Sequence, residues 1–111
     1  MIIKKEIEKR SYAVKFTAEK DGQEIGRVFL YIMYNYLHDE PFGYMEDLFV
    51  DEKFRGQGFG KNLVENVKAE AIKQNCYKLV FSCRCEKKEL HDWYRNLGFK
   101  DVGLGFRMDF K

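Results

Sequence analysis

Tyr44-Met45-Glu46-Asp47-Leu48-Phe49-Val50, then Asp51-Glu52-Lys53-Phe54, then Arg55-Gly56-Gln57-Gly58-Phe59-Gly60-Lys61 is the stretch where the hydrophobic period of the chain changes. Tyr44 to Val50 reads as a strand ended by Asp51-Glu52-Lys53. From Gly58 to about Gln74 the period is helical: Phe59, Leu63, Val67 and Ala71 share one stripe with Val64 and Ile72 beside it, and Lys61, Glu65, Lys68 and Lys73 take the other face. Between the two lie three closely spaced glycines at a helix N-terminus. Such glycines let the backbone approach an anion, which the free N–H groups and the helix dipole then attract. The same glycines would also serve a merely tight strand-to-helix connection.

Outward from this stretch the chain reads as an α/β protein. Residues 11–20 alternate about Tyr12, Val14 and Phe16, the pattern of a half-buried strand, and Asp21-Gly22 supplies a hairpin turn. A strand from about Gln23 to Tyr36 grows apolar on both faces and is expected to be central, until His38-Asp39-Glu40-Pro41 breaks it. Downstream, Tyr77 to Cys83 reads as a fully buried strand with a parallel neighbour. Residues 88–97 form a short helix with Leu90, Trp93, Tyr94 and Leu97 on its stripe and Gly98 as its left-handed cap. Phe99 to Phe110 reads as terminal strand. Antiparallel strands followed by β-α-β-α-β imply a mixed sheet flanked by helices.

Composition narrows the classes further. A chain of 111 residues is one domain, 1–111, able to bury roughly two thirds of its unfolded surface. At 45% hydrophobic and 16% aromatic it is not a disordered chain. Twenty Lys and Arg against eighteen Asp and Glu give a net charge of +2, without the basic excess of a nucleic-acid binder. Val28 to Tyr34, the longest apolar run, is too short to span a membrane, and Met1-Ile2-Ile3 meets Lys4-Lys5 at once, so no membrane role or signal peptide is expected. Three cysteines, an odd number, suit a reducing cytoplasm.

Spacing separates the glycine loop from two phosphate-binding devices. A P-loop would need Gly at Arg55 and Ser or Thr at Asn62; a dinucleotide fingerprint counted from Gly56 would need Gly at Lys61. The pattern Arg/Gln-x-x-Gly-x-Gly/Ala is matched by Arg55, Gly58 and Gly60. With the strand before it and His91-x-Trp93-Tyr94-x-x-x-Gly98-Phe99 after it, the chain resembles the GNAT superfamily of acyl-CoA-dependent N-acetyltransferases over residues 44–99. The Glu46-Asp47 pair is most similar to the diamine (spermidine/spermine) branch.

The resemblance implies an acetyl-CoA co-substrate lying in the splay between the strands Tyr44–Val50 and Tyr77–Cys83. The amides of Gly56, Gln57, Gly58, Phe59, Gly60 and Lys61 would hold its pyrophosphate, with positive charge from Arg55 and Lys61. Backbone groups of Leu48, Phe49 and Val50 would pair with the pantetheine arm. The expected acceptor is a primary amine, small or on a protein, attacking directly in a ternary complex. Glu46 is the candidate base, since strict alternation puts it on one face with Leu48 and Val50 and turns Asp47 away; the other reading is an exposed or salt-bridged carboxylate. Tyr94 is the candidate acid, its phenol near ~10 being close to a thiol, and it also completes an apolar stripe. His91, one turn earlier, has a surface or helix-face role as its plainer reading.

Departures bear on the acceptor. Lys87 stands where many members carry Asn, and no room remains ahead of Ser11 for the two helices that usually wall the acceptor site. That side is expected to be open or completed by a second subunit, and the aromatic surplus of Tyr31, Tyr34, Tyr36 and Phe42 points to a homodimer. Cys83-Arg84-Cys85 with Cys76 and His91 lacks the C-x(2–4)-C spacing of zinc sites, so packed thiols and no metal are expected; Cys85 as an acyl carrier is the remaining reading. The rival function is a degenerate acyl-CoA-binding sensor without turnover.

Overall fold

Three strands form before any helix, because the N-terminal half alternates rather than turning on a helical period. The computed structural model describes residues 1–111. β1 (Tyr12–Lys20) and β2 (Gln23–Met33) make a hairpin through Asp21 and Gly22, whose positive φ angles of 52° and 78° match the twist of the flanking strands. β3 (Phe42–Val50) pairs antiparallel with β2, and β4 (Leu79–Val80) pairs parallel with β3, giving one sheet in the order β1-β2-β3-β4. β2 is central, as its apolar run requires.

α1 (Phe59–Lys73) packs on one face of this sheet. Leu63, Val64, Val67 and Ala71 of the helix are buried with Ile25, Val28, Leu30 and Ile32 of β2 and Met45 of β3. Of the two residues expected beside the stripe, Val64 is buried and Ile72 is 77% exposed. Each helical residue advances about 100°, so Ile72 lies a quarter-turn or more beyond Ala71 and Val67 and faces water. The helix closes with Asn75 left-handed at φ 64°, Cys76 N–H donating to Ala71 O and Asn75 N–H to Ile72 O, which satisfies the terminal carbonyls.

Residues gather into two compact units, Met1–Phe81 and Ser82–Lys111. The second carries α2 (Lys88–Asn96), closed by Gly98 at φ 100° with Phe99 N–H donating to Tyr94 O. No helix lies between residue 1 and β3.

Two expected strands are corrected. Of Tyr77 to Cys83 only Leu79–Val80 is regular and it is half-buried, because it pairs on one side alone, with Gly43 and Tyr44. The expected terminal strand, Phe99 to Phe110, has no regular structure, and residues 100–111 are exposed; a strand needs a neighbouring edge, and none pairs with it. The second β-α-β step thus stops at the helix.

Candidate active site

The loop after β3 is built by local rules. Asp51 caps a short 3-10 turn (Glu52–Phe54), its side chain accepting from Lys53 N–H at 3.1 Å. Phe54 and Phe59 meet edge-on across the loop, ring centroids 6.3 Å apart. Gly56 and Gly58 are left-handed at φ 78° and 90°, and a Cβ on either would meet nothing within 4 Å. The glycines are therefore required by conformation, and the space beside them is open. Gly58 caps α1 without a side-chain hydrogen bond, and no acidic residue stands in the first turn. The first helical bond is from Asn62 N–H to Gly58 O at 3.0 Å, so the N–H groups of Phe59, Gly60 and Lys61 point out of the helix end. Arg55 Nε donates to Val50 O at 2.8 Å and its guanidinium lies 5.6 Å from the Phe49 ring centre, bracing the loop against β3. Gln57 Nε2 adds a longer bond, 3.4 Å, to Lys53 O.

β3 itself is irregular at its two acidic residues. Its register with β2 runs Phe29 to Glu46 and then Arg27 to Phe49, so Asp47 and Leu48 together oppose Val28 alone. Asp47 takes φ 58° at this bulge, a conformation Asp tolerates better than most residues. The bulge corrects two face assignments. Glu46 shares its face with Phe29 and Phe49, whereas Val50 pairs with Gly26 on the α1 side, so Glu46 is not aligned with Leu48 and Val50. Asp47 does not point away from Glu46's face: its carboxylate takes two bonds from Arg27, at 2.8 and 3.1 Å, and Arg27 is the partner of Phe49. The hydrogen bonds from Arg27 hold the Asp47 carboxyl below its ordinary range. Glu46 is exposed and makes no ion pair.

Pairing of β3 with β4 covers Gly43 and Tyr44 only. From Met45 to Val50 no residue of β3 pairs with β4, the Val50 carbonyl instead accepting from Arg55 Nε, and this edge ends at the glycine loop. A free strand edge running into an uncapped helix N-terminus is suited to a ligand with amide groups at one end and phosphates at the other.

The family model described as "Acetyltransferase (GNAT) family" matches residues 2–99. The chain belongs to the GNAT acetyltransferase family. The glucosamine 6-phosphate N-acetyltransferase of Arabidopsis thaliana is 36% identical over 50 residues, which is 45% of this chain and 34% of that enzyme. The thialysine N-epsilon-acetyltransferase of Bos taurus is 32% identical over 59 residues, 53% of this chain and 35% of that enzyme. The chain thus spans about a third of the length of these curated relatives. Among solved structures, a putative acetyltransferase from Agrobacterium tumefaciens superposes with a TM-score of 0.82 at 26% identity, covering 87% of this chain and 68% of that one.

In this GNAT chain the other predicted site residues lie on the second unit. Tyr94 is half-buried, edge-on to Trp93 and Phe99 at 5.0 and 6.1 Å, and burial pushes its phenol up to about 12, with Cys83 adding to the shift. His91 Nε2 lies 2.6 Å from Arg84 O, tying α2 to the turn before it, which fits its plainer reading. Lys87 is the N-cap of α2 and is exposed. Burial raises the Cys83 thiol, the opposite of what a nucleophile requires, and Cys85 is exposed. No group of three or more His, Cys, Asp or Glu side chains converges. No helix is long and apolar enough to cross a membrane.

Sequence reading missed Arg27 and Phe29, the β2 residues that face Asp47 and Glu46. Arg27 was visible as a lone charge inside Ile25-Gly26-Arg27-Val28-Phe29, a place where an unpaired cation is costly.

Proposed function

We propose that this GNAT domain transfers the acetyl group of acetyl-CoA to a primary amine by direct attack in a ternary complex. The observation that carries the proposal is the uncapped N-terminus of α1, with left-handed Gly56 and Gly58 open to solvent at the end of an unpaired strand edge. Amides of Gly56 to Lys61 bind the pyrophosphate, and Lys61 and the terminal nitrogens of Arg55 add positive charge. Backbone groups of Leu48 and Phe49 and the N–H of Val50, whose carbonyl accepts from Arg55, pair with the pantetheine amides as a further strand would. Glu46, outside any ion pair, accepts the amine's proton directly or through water as the C–N bond forms. The C–S bond breaks and the sulfur accepts a hydrogen bond from Tyr94. With its phenol near 12, Tyr94 stays protonated at neutral pH. Full proton transfer from it to a thiolate of ordinary pKa, about 8.5, is uphill, so its role is donation of a hydrogen bond before protonation is completed.

The Glu46-Asp47 pair favours the diamine branch, with Asp47 spent on Arg27 and Glu46 left for the acceptor. Three free thiols suit a reducing cytoplasm, and a homodimer is the proposed assembly. Calorimetric titration with acetyl-CoA, CoA and NADH tests the reading: the first two are expected to bind and NADH is not. Gly58→Asp should weaken acetyl-CoA binding at least about tenfold through charge and bulk, while Gly58→Ala, which shares the backbone strain, reports strain alone. Unchanged affinity in Gly58→Asp refutes the loop assignment. Lys87 at the Asn position favours a second reading, a sensor that binds acetyl-CoA without turnover; a wide amine panel giving binding but no product would select it.

A further inference from the structure

Lys15 of β1 stands on the same sheet face as Glu46. Residues paired directly across strands project to one side of a sheet. Lys15 pairs with Phe29 of β2 and Phe29 with Glu46 of β3, so the three form one row on the face opposite α1. Lys15 and Glu46 are two strand spacings apart, about 10 Å, with Phe29 between them. Lys15 Nζ covers part of that distance: it lies 6.0 Å from the Phe29 ring centre, where the ring face attracts an ammonium group. A second observation places its charge toward β3. The Asp47 carboxyl is lowered chiefly by its hydrogen bonds from Arg27, and the Lys15 charge adds to them. The tie that opposes this reach is weak, one 3.4 Å pair to Glu24 between half-exposed side chains. The other lysine of β1, Lys20, is turned instead to Phe54, 5.5 Å from its ring centre. Arg27 is committed to Asp47, and a guanidinium that stays charged offers no nucleophilic amine. Lys15 is therefore the primary amine that the sheet register carries toward Glu46.

We infer that the domain acetylates itself at Lys15, in cis, the amine crossing the Phe29 ring to reach Glu46. This rests on the acetyl-transfer reading above and adds a modification site to it. Glu46 takes one proton from the Lys15 ammonium, and the freed Nζ lone pair attacks the thioester carbonyl of acetyl-CoA. The C–N bond forms, the C–S bond breaks, and the second Nζ proton goes with the departing sulfur, leaving acetyl-lysine and CoA. The amide is uncharged, so the pair to Glu24 and the attraction to the Phe29 ring are both lost.

Incubation of the purified 111-residue protein with acetyl-CoA and no added amine tests this. The intact mass is expected to rise by about 42 Da, one acetyl group, and peptide mass spectrometry should place it on Lys15. Lys15→Arg should abolish the gain, and Glu46→Gln should slow it at least about tenfold. Both positions are exposed, so neither variant disturbs the core. At saturating acetyl-CoA, a reaction within one chain has a rate constant independent of protein concentration. Acetyl groups spread over exposed lysines such as Lys4 and Lys5, Lys15 labelling unchanged in Glu46→Gln, or a rate constant that rises with protein concentration overturns the inference. A parallel reaction with butylamine separates the two readings. Acetylated butylamine from a chain whose Lys15 stays unlabelled keeps acetyl transfer and removes this site. Labelled Lys15 with butylamine untouched upholds the site and confines transfer to the chain itself. Neither product, from protein that binds acetyl-CoA in calorimetry, removes both.

Discussion

Tyr94 is pressed between Trp93 and Phe99, and burial, the larger of its two influences, lifts the phenol to about 12. The neutral form is therefore favoured by folding. Its contribution is fully present below the ordinary tyrosine value of about 10 and is lost as pH rises from there through about 12. Two units would be worth about 2.7 kcal/mol if the ring were dry; partial exposure and screening reduce this to roughly 1–2 kcal/mol. Urea midpoints compared at pH 9 and pH 11.5 should fall less for Tyr94→Phe than for wild type, and parallel falls would assign the alkaline loss elsewhere. In turnover, Tyr94→Phe should lower kcat at least about tenfold with acetyl-CoA affinity unchanged; equal turnover removes its role at the sulfur. Glu46 was legible as the candidate carboxylate, but its neighbours were not, because strict alternation holds only while the ladder is regular. One extra residue at Asp47-Leu48 moved Val50 to the opposite face and brought Asp47 onto Arg27.

Gly26 links the elements that carry the loop. It lies in central β2 opposite Val50, and a Cβ there would come within 3.0 Å of Phe49 O and 3.3 Å of Leu63 Cδ1. Leu63 is in the second turn of α1, so a larger residue at 26 pushes the helix outward and shifts the amides of Gly60 and Lys61 with it. Gly26→Val is expected to cost about 1–3 kcal/mol by overpacking, lowering Tm by several degrees and weakening acetyl-CoA together. A reduced Tm with unchanged acetyl-CoA affinity would show that the loop holds its geometry independently of the sheet. Elements whose signals are local were legible: the Asp21-Gly22 turn, the stripe of α1, the Gly98 cap. β4 was not, because a run of apolar residues such as Tyr77 to Cys83 becomes a strand only as far as its neighbour stays parallel and close, which here means Gly43 and Tyr44.

At the scale of the whole molecule, the exposed apolar residues are concentrated at the chain ends. Val102, Leu104, Phe106, Met108 and Phe110 stand at alternate positions and are between 76% and 92% exposed. Alternation of this kind is the pattern of a strand with one face to bury, and its absence of regular structure here reflects a missing partner edge. A second copy of the chain offers such edges, since β1 and β4 each pair on one side only. Burying five such side chains would contribute about 7–15 kcal/mol, at about 1.5–3 kcal/mol each. Association itself costs about 4–15 kcal/mol and ordering the tail costs more, so much of the burial is offset and the proposed dimer is expected to dissociate on dilution. Light scattering on the 111-residue chain should give the mass of two chains at about 100 μM and fall toward one chain in the low micromolar range. A chain ending at Asp101 should stay monomeric throughout while keeping its far-ultraviolet circular dichroism, because residues 102–111 add no regular structure. A full-length chain that remains monomeric at about 100 μM would remove the homodimer and leave the alternating tail without its proposed partner.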